Sequence, residues 1–531
     1  MAFDHPSLMP QMLAYRAQNQ ATGIALKKND GSTLTWESAY TRTLRIASAL
    51  ERLGAKTGQP VVTLFANSFE AYCVWQGCAW FGAIEAPINT AYKGEWLRHV
   101  INNTQAHIVM ADARFVAPLF DIAAQLPHVQ HVVVFGQALN APPDLPFNVV
   151  SAAEFLDNVA IKERAEPRPW DISSLIYTSG TTGRSKAVMV PWAHIQASLE
   201  SGFLPHERLN NISIYAPYPV FHITGKGGYY FATVFGGASG IRETFSSNQY
   251  WDDVRTMGAN ATVLLGPLAQ MLLDQPQRAD DHDNPMQTVC MAPVIADVDL
   301  FSERFGVEVF TTYNMTEINC PIIRSDEPCT SSNHRSCGKV RSGVEVRIVD
   351  ENDQTVAPGV PGEMIVRGEP WELNAGYWNM PEKTNEAWRN GWFHTGDAFT
   401  YDTNGDHYFV DRTKDYIRRR GENISSFEIE AIVNTYPGIV ESGAVAVPAE
   451  HGEDEVKIAV VLAPQSSFEP ADLITFLDSK MPRFAIPRFI EVWESLPKTE
   501  ATARIQKAKI RDSGISTDTW DRVAAGIKLR G

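Results

Sequence analysis

Apolar positions along this chain follow two alternating rhythms, helical spacing in the longer segments and continuous or every-other-residue runs in the shorter ones. Over residues 35–112, WESAYTRTLRIASALERLG has helical spacing, whereas VVTLFA and HIVMAD are short apolar runs closed by Gly, Pro or Asn. This alternation predicts an α/β unit. It returns between Ser173 and Thr312, where SSLIYTSG, NISIYAPY (211–218) and VEVFTTYNMTE read as strands and LGPLAQMLLDQ as a helix. From about Cys337 to Val410 the texture changes to β-branched alternation, VEVRIVD and GEMIVRG, broken by PGVPG and TNGD turns, which predicts a small antiparallel β unit. After Asp411 the charge cluster DRTKDYIRRRGEN precedes a helix, two strands (GAVAVPA and VKIAVVLA), a second helix and a basic terminal segment. We expect one domain over 1–413, with subregions at about 1–170, 171–336 and 337–410, and a smaller α+β domain over 414–531.

A length of 531 residues exceeds what one core serves, so several folding units and a multi-domain enzyme are expected. Acidic residues outnumber basic ones, 62 against 46, for a net charge of −16. That excess disfavours nucleic acid or an anionic membrane as the main partner, and an anionic ligand would need a local basic site. The six cysteines, at 73, 78, 290, 320, 329 and 337, form no CxxC pair and have no histidines at zinc spacing, as expected for reduced cytoplasmic thiols. The start lacks a signal-peptide pattern and no stretch of the chain is apolar enough to span a bilayer, so a soluble, cytoplasmic protein is expected. A homodimer is compatible with all of this.

Within that frame, residues 177–190 read YTSGTTGRSKAVMV. Gly180 and Gly183 let backbone N–H groups approach an anion closely, Ser179, Thr181 and Thr182 add donors, and Lys186 adds a point charge. The spacing is not the Walker pattern, and apolar strand-like runs lie on both sides, so the loop is expected to join two strands. Without a following helix, a polyphosphate would be held by hydroxyls, loop amides and the lysine. A polar surface turn is the other reading. Glu317 follows the strand-like VEVFTT, where open α/β sheets place ligand-binding groups; with a loop hydroxyl such as Thr178 it could hold magnesium, or it could be an ordinary helix-start glutamate. Asp397 in GWFHTGD could accept two ribose hydroxyls, or belong to a turn. Arg412 and Lys414 fall where the β unit gives way to the last domain, as a charged hinge or a solvated linker.

The order YTSGTTGRSK, PVFHITG, YNMTE, GYWNMPEKT with GWFHTGD, then DRTKDYIRRRGENISSFEIE, resembles the adenylate-forming superfamily of acyl-CoA synthetases, luciferases and peptide-synthetase adenylation domains. The resemblance spans nearly the whole chain, and INTAYKGEWLRHVI is most similar to the crotonobetaine/carnitine-CoA ligase branch. It implies a large N-terminal domain of αβαβα-type layered sheets plus a small barrel-like β unit, with a mobile C-terminal domain. It also implies an enzyme that uses ATP, magnesium and CoA to activate a small-molecule carboxylic acid through an acyl-adenylate.

By the same resemblance Thr178 to Lys186 are the phosphate loop. Ala292, Pro293 and Tyr313 sandwich adenine, with Asn314, Met315 and Thr316 completing the nucleotide motif. Asp397 and Arg412 hold ribose, Thr178 and Glu317 bind magnesium, Lys414 is the hinge, and Gly421 with Glu422 lines the pantetheine tunnel. His222 is implied as an aromatic gate, although a lone histidine on an apolar run also reads as a core residue. Rotation of the small domain would let one site serve adenylation and then thioester formation.

The chain departs from the family pattern in several places. Ser185 and Ala187 flank Lys186 where proline and glycine are usual, and Asn314 stands for a glycine, tolerable because Asn accepts the left-handed backbone. More seriously, the family's C-terminal lysine loop reads LPKTEATARIQKAKIR here, with one extra residue. Alignment through IQK puts Arg504 in the lysine's role, a change of shape and donor geometry; Lys507 is second choice, and Lys498 a further substitute if the loop shifts.

The acid pocket is expected around His222 to Tyr230, Leu264 to Leu268 with Gly266, and Thr311 to Tyr313 with Thr312. Lys226 would pair with a second acidic group on the substrate if it faces that pocket, or snorkel to the surface if it does not. Tyr229 and Tyr230 could wall a quaternary ammonium, or pack in the core. The leading expectation is a free-standing acyl-CoA ligase releasing AMP and pyrophosphate. Transfer to a carrier protein or amine, and a nucleotide-binding homologue with weakened catalysis, are the alternatives.

Overall fold

The computed structural model describes residues 8–529 apart from 138–140, 158–165, 179–184, 201–203, 206–211, 413–416, 420–421, 425, 449–453, 479, 482, 484 and 499–504. These fall into two compact units, the first within Met1–Thr178, Arg184–Val346 and Val366–Phe393, the second within Arg347–Ile365 and His394–Gly531.

The first unit holds two large sheets. One has seven strands in the spatial order Asn148–Ser151, His131–Phe135, Ile108–Asp112, Pro60–Leu64, Ile84–Pro87, Ile172–Thr178, Lys186–Pro191. Its neighbours run parallel except the last pair, which is antiparallel. The other has nine strands, ordered Lys339–Val340, Asn319–Arg324, Glu308–Met315, Thr288–Ala292, Ala261–Leu265, Ile212–Tyr215, Gly237–Ile241, Ile24–Lys28, Thr33–Thr35, parallel in the middle and antiparallel at both edges.

Helices Met9–Asn19, Trp36–Arg52, Phe69–Phe81 and Ile223–Phe235 contribute to the core that joins the two sheets. Met110, Val133 and Ile176 of the first sheet and Ile214, Ile241 and Cys290 of the second share one hydrophobic cluster with Met12, Trp36, Trp75, Tyr229 and Tyr230. Helix Phe69–Phe81 starts at Ser68, whose hydroxyl accepts from Ala71 N–H, and most of its residues are buried, as a helix apolar all round requires. The outer face of the seven-stranded sheet is covered through Leu97, Ile101 and Leu119, and that of the nine-stranded sheet through Tyr250, Val254, Leu272 and Phe301. The layering is α/β/α/β/α, and each large apolar side chain fully buried in it contributes about 1.5–3 kcal/mol.

Strand Trp392–Tyr401, which belongs to the second unit from His394 on, forms an antiparallel hairpin with His407–Arg412 in the region expected to be β. A four-stranded sheet follows, ordered Ile439–Pro448, Asp454–Leu462, Phe489–Val492, Trp520–Asp521. Helices Ser426–Val433 and Pro470–Asp478 cover one face through Ile429, Val433, Leu473 and Leu477, and Ile510 of helix Lys507–Asp512 covers the other. Among the described residues no helix is long and apolar enough to cross a membrane.

Candidate active site

Strands Ile172–Thr178 and Lys186–Pro191 are antiparallel neighbours with Thr178 opposite Lys186, so the glycine-rich segment links two strands as its flanks predict. Ser179, Gly180, Thr181, Thr182 and Gly183 themselves lie outside the described residues. The exposed edge of Lys186–Pro191 is lined by a further extended segment: Met189 N–H donates to Gly376 O at 2.9 Å, Ala375 N–H to Met189 O at 3.0 Å, and Trp378 N–H to Ala187 O at 2.9 Å. Gly376 has φ +101°, and a Cβ there would stand 2.7 Å from Thr384 Cγ2, so a side chain is excluded twice over.

That segment delivers Tyr377 to Lys186 and Glu317. Its ring centroid lies 4.2 Å from Lys186 Nζ, and its hydroxyl donates to Glu317 Oε1 at 3.1 Å. Burial, reinforced by the Glu317 charge, raises the Tyr377 pKa, so it is a protonated donor at neutral pH. Asn374 fixes Glu317 from behind, its backbone N–H and Nδ2 donating to Glu317 O at 3.0 and 2.8 Å. Sequence reasoning assigned neither Tyr377 nor Asn374 a role; the only signal was their place in or beside GYWNMPEKT.

Glu317 sits in the turn between Glu308–Met315 and Asn319–Arg324, which excludes the helix-start alternative. Asn314 needs no left-handed backbone: it is an exposed strand residue, and the left-handed position is Asn319, φ 65°. Met315 and Thr316 are half-buried beside the turn. On the neighbouring strands Ala292 pairs with Leu265, and Gly266 approaches Pro293 so closely that a Cβ would meet Pro293 O at 2.7 Å. The Thr312 hydroxyl is taken up by Ile322 O at 2.7 Å, while Tyr313, opposite Ile322, is half-buried.

His222 is the residue before helix Ile223–Phe235. Burial lowers its pKa to about 4 and its Nε2 has no hydrogen-bond partner among the described residues, so the ring is a neutral imidazole. Lys226, one turn on, corrects the surface-lysine expectation: its side chain is 1% exposed and Nζ donates to Glu85 Oε2 at 2.6 Å. Tyr229 and Tyr230 are fully buried core residues, the latter donating to Gln196 Oε1 at 2.7 Å, so they form no wall for a ligand.

In the second unit Asp397 is buried opposite Arg412 in the hairpin register; the Arg412 side chain lies outside the described residues. Lys414, Gly421, Arg504 and the Glu422 side chain also lie outside them. Lys507 Nζ contacts Glu430 Oε1 at 2.9 Å and donates to Ser426 Oγ, while Ser426 in turn donates to Asp411 Oδ2. Lys507 is thus held in a network within the second unit. Lys498 is likewise paired, with Glu441 at 2.6 Å.

The model of the AMP-binding enzymes matches residues 13–378, and that of their C-terminal domain residues 428–502. The chain belongs to the adenylate-forming AMP-binding enzymes. A crotonobetaine/carnitine–CoA ligase of Proteus mirabilis is 29% identical over 470 residues, 87% of this chain and 90% of that protein. Among solved structures, an anthranilate CoA ligase in complex with anthranoyl-AMP superposes with a TM-score of 0.84 at 22% identity, covering 98% of this chain and 99% of the other. The amide bond synthetase McbA from Marinactinospora thermotolerans gives 0.79 at 20% identity, covering 94% and 99%. These structural likenesses establish the fold.

For an AMP-binding enzyme the metal chemistry of this site is economical. Among the described residues no group of three or more His, Cys, Asp and Glu could cage an ion. A magnesium ion that drew most of its ligands from phosphates and water would need few protein oxygens, and the Glu317 carboxylate, held by Tyr377, is a donor of the right kind.

Proposed function

We propose that this AMP-binding enzyme joins a small or medium organic acid to CoA through an acyl-adenylate. The acid's carboxylate attacks the α-phosphorus of ATP and expels pyrophosphate; the CoA thiol then attacks the acyl carbonyl, expels AMP and loses its proton to solvent. The observation that carries this reading is the Lys186–Tyr377–Glu317 chain, which sets a fixed cation and an oriented carboxylate on one aromatic ring.

In this reading Lys186, the loop amides and the hydroxyls of residues 178–182 hold the polyphosphate, and Glu317 and Thr178 would hold magnesium, which would supply positive charge against that shed onto pyrophosphate. Tyr377 orients Glu317. Ala292, Pro293 and Tyr313 hold adenine, Asp397 and Arg412 ribose, and Arg504 reaches the α-phosphate. Lys414 is the hinge, and Gly421 with Glu422 lines the thiol's approach. The acid is already ionised at neutral pH, so positioning and electrostatics carry the first step and the neutral His222 acts by shape. Because Glu85 neutralises Lys226, nothing at that position calls for a second acidic group on the substrate.

The test is AMP and pyrophosphate release against small acids, betaines and dicarboxylates, each with and without CoA. CoA-dependent AMP formation with one acid supports the ligase and names its substrate. Adenylation that an amine or carrier protein, but not CoA, turns over redirects the second step, and no release with any acid rejects the proposal.

A further inference from the structure

A charged cluster buried between the two large sheets has no part in the chemistry just described. Lys226 and Glu85 side chains are 1% and 2% exposed. Lys226 Nζ donates to Glu85 Oε2 at 2.6 Å and lies 4.2 Å from the centroid of Trp75, whose ring stacks on Trp192 at 5.5 Å. Glu85 Oε2 also accepts from Ser174 Oγ at 3.1 Å, and Oε1 from Thr63 Oγ1 at 3.1 Å. Burial pushes the Lys226 pKa down while Glu85 opposes the shift. Stability alone is a poor reason for such a pair, because well-packed apolar residues commonly replace a buried ion pair without loss.

Its location supplies a better one. Helix Ile223–Phe235 opens with three glycines around Lys226, at 225, 227 and 228. Glycine is a weak helix former, and without side chains those positions offer no knobs to fix the first turns against a neighbour. On the side toward the nine-stranded sheet, a Cβ at Gly228 would already stand 3.0 Å from Ser239 Oγ and 3.1 Å from Ala216 Cβ, a close but smooth contact. Lys226 is the peg on the opposite side, reaching the seven-stranded sheet, and its backbone N–H donates to His222 O at 3.3 Å. At the other end, Ser174 lies in register with Glu85 and on the same strand face as Thr178, four residues on, where the phosphate loop begins.

We propose that the Lys226–Glu85 pair, through Ser174, is the positioning element that holds the His222 turn at a set distance from the strand entering the phosphate loop. Acid and nucleotide are thereby brought into line across the two sheets. The inference rests on the acid-activating function proposed above.

Removing one charge would strand the other, so the main variant removes both, E85Q/K226M. S174A and T63A each delete one hydroxyl that donates to Glu85, the first on the strand leading to Thr178 and the second on a strand that carries no site residue. We expect E85Q/K226M to melt cooperatively yet lose roughly a hundredfold in kcat/KM for acid-dependent pyrophosphate release, and S174A to lose about tenfold with a raised KM for ATP. T63A should stay within about twofold of the parent. Unchanged kcat/KM in the double variant, or equal losses in S174A and T63A, overturns the proposal; if the double variant does not fold, the S174A and T63A comparison decides. Amide hydrogen exchange supplies a readout that needs no known acid. Protection should fall in S174A at residues 175–178 and 222–228 but not in T63A, and identical exchange in the two overturns the inference. A parent protein that releases no pyrophosphate with any acid, while the exchange difference appears, shows that it is the proposed function that failed.

Discussion

The Tyr377 hydroxyl donates to the Glu317 carboxylate at 3.1 Å, across 60 residues of chain. The same ring lies under Lys186, so one side chain sets the geometry of both a cation and an anion. A hydrogen bond to one oxygen fixes the orientation of a carboxylate, which a metal ligand needs.

Tyr377→Phe keeps the ring and deletes the hydroxyl. A hydrogen bond to a charged group contributes about 1.5–3 kcal/mol, so kcat for adenylation should fall about tenfold or more and the magnesium midpoint should rise. Magnesium titration of pyrophosphate release checks this. An unchanged midpoint would show that Tyr377 does not orient a metal ligand.

Lys507 and Arg504 should separate cleanly. Lys507 is held by Glu430 and Ser426, whose hydroxyl also donates to Asp411, so Lys507→Ala leaves Glu430 without its cation. The expected cost is roughly 3 kcal/mol of stability, read as a lowered thermal midpoint of the second unit. Arg504→Ala should leave that midpoint in place and slow adenylation about a hundredfold. The reverse pattern would exchange the two assignments.

Gly227 faces open space: among the described residues beyond its own helix turn, no atom lies within 4 Å of where its Cβ would sit. Gly227→Ala should be tolerated, gaining up to about 1 kcal/mol in helix propensity. Gly227→Leu should raise KM for long or bulky acids while sparing short ones, if that space belongs to the acid pocket. A KM series over acids of increasing length in both variants checks it; parallel changes for all acids would place the pocket elsewhere.

His222 ties stability to acidity. Its native pKa of about 4 lies below the unfolded value of about 6.5, so between those values the unfolded chain binds a proton that the native chain refuses. Its contribution is complete above that window and is lost as pH falls through it. His222→Phe should therefore show a smaller drop in thermal midpoint between neutral and mildly acidic pH than the parent does. Buried His194, held neutral with a pKa of about 3, remains as a common background in both proteins.

The elements were legible in the sequence because they are local. Apolar spacing within a few residues identified helix Trp36–Arg52 and strands Gly362–Gly368 and Glu308–Met315, and the strand-like flanks of residues 179–184 foretold a link between strands rather than a strand-to-helix loop. The order of the motifs was enough to identify the family. Lys226 was not legible. Its partner Glu85 lies 141 residues away, and a lysine among glycines has the same local texture whether it ends in water or against a carboxylate. Tyr377 was overlooked for the same reason, since its role appears only when the segment around Gly376 lies along strand Lys186–Pro191. Side-chain size and polarity set periodicity residue by residue, so the sequence by itself determined the elements and the fold class. Whether a charge is buried, and which group neutralises it, depends on what the topology brings to it from distant chain, and that only the tertiary structure decided.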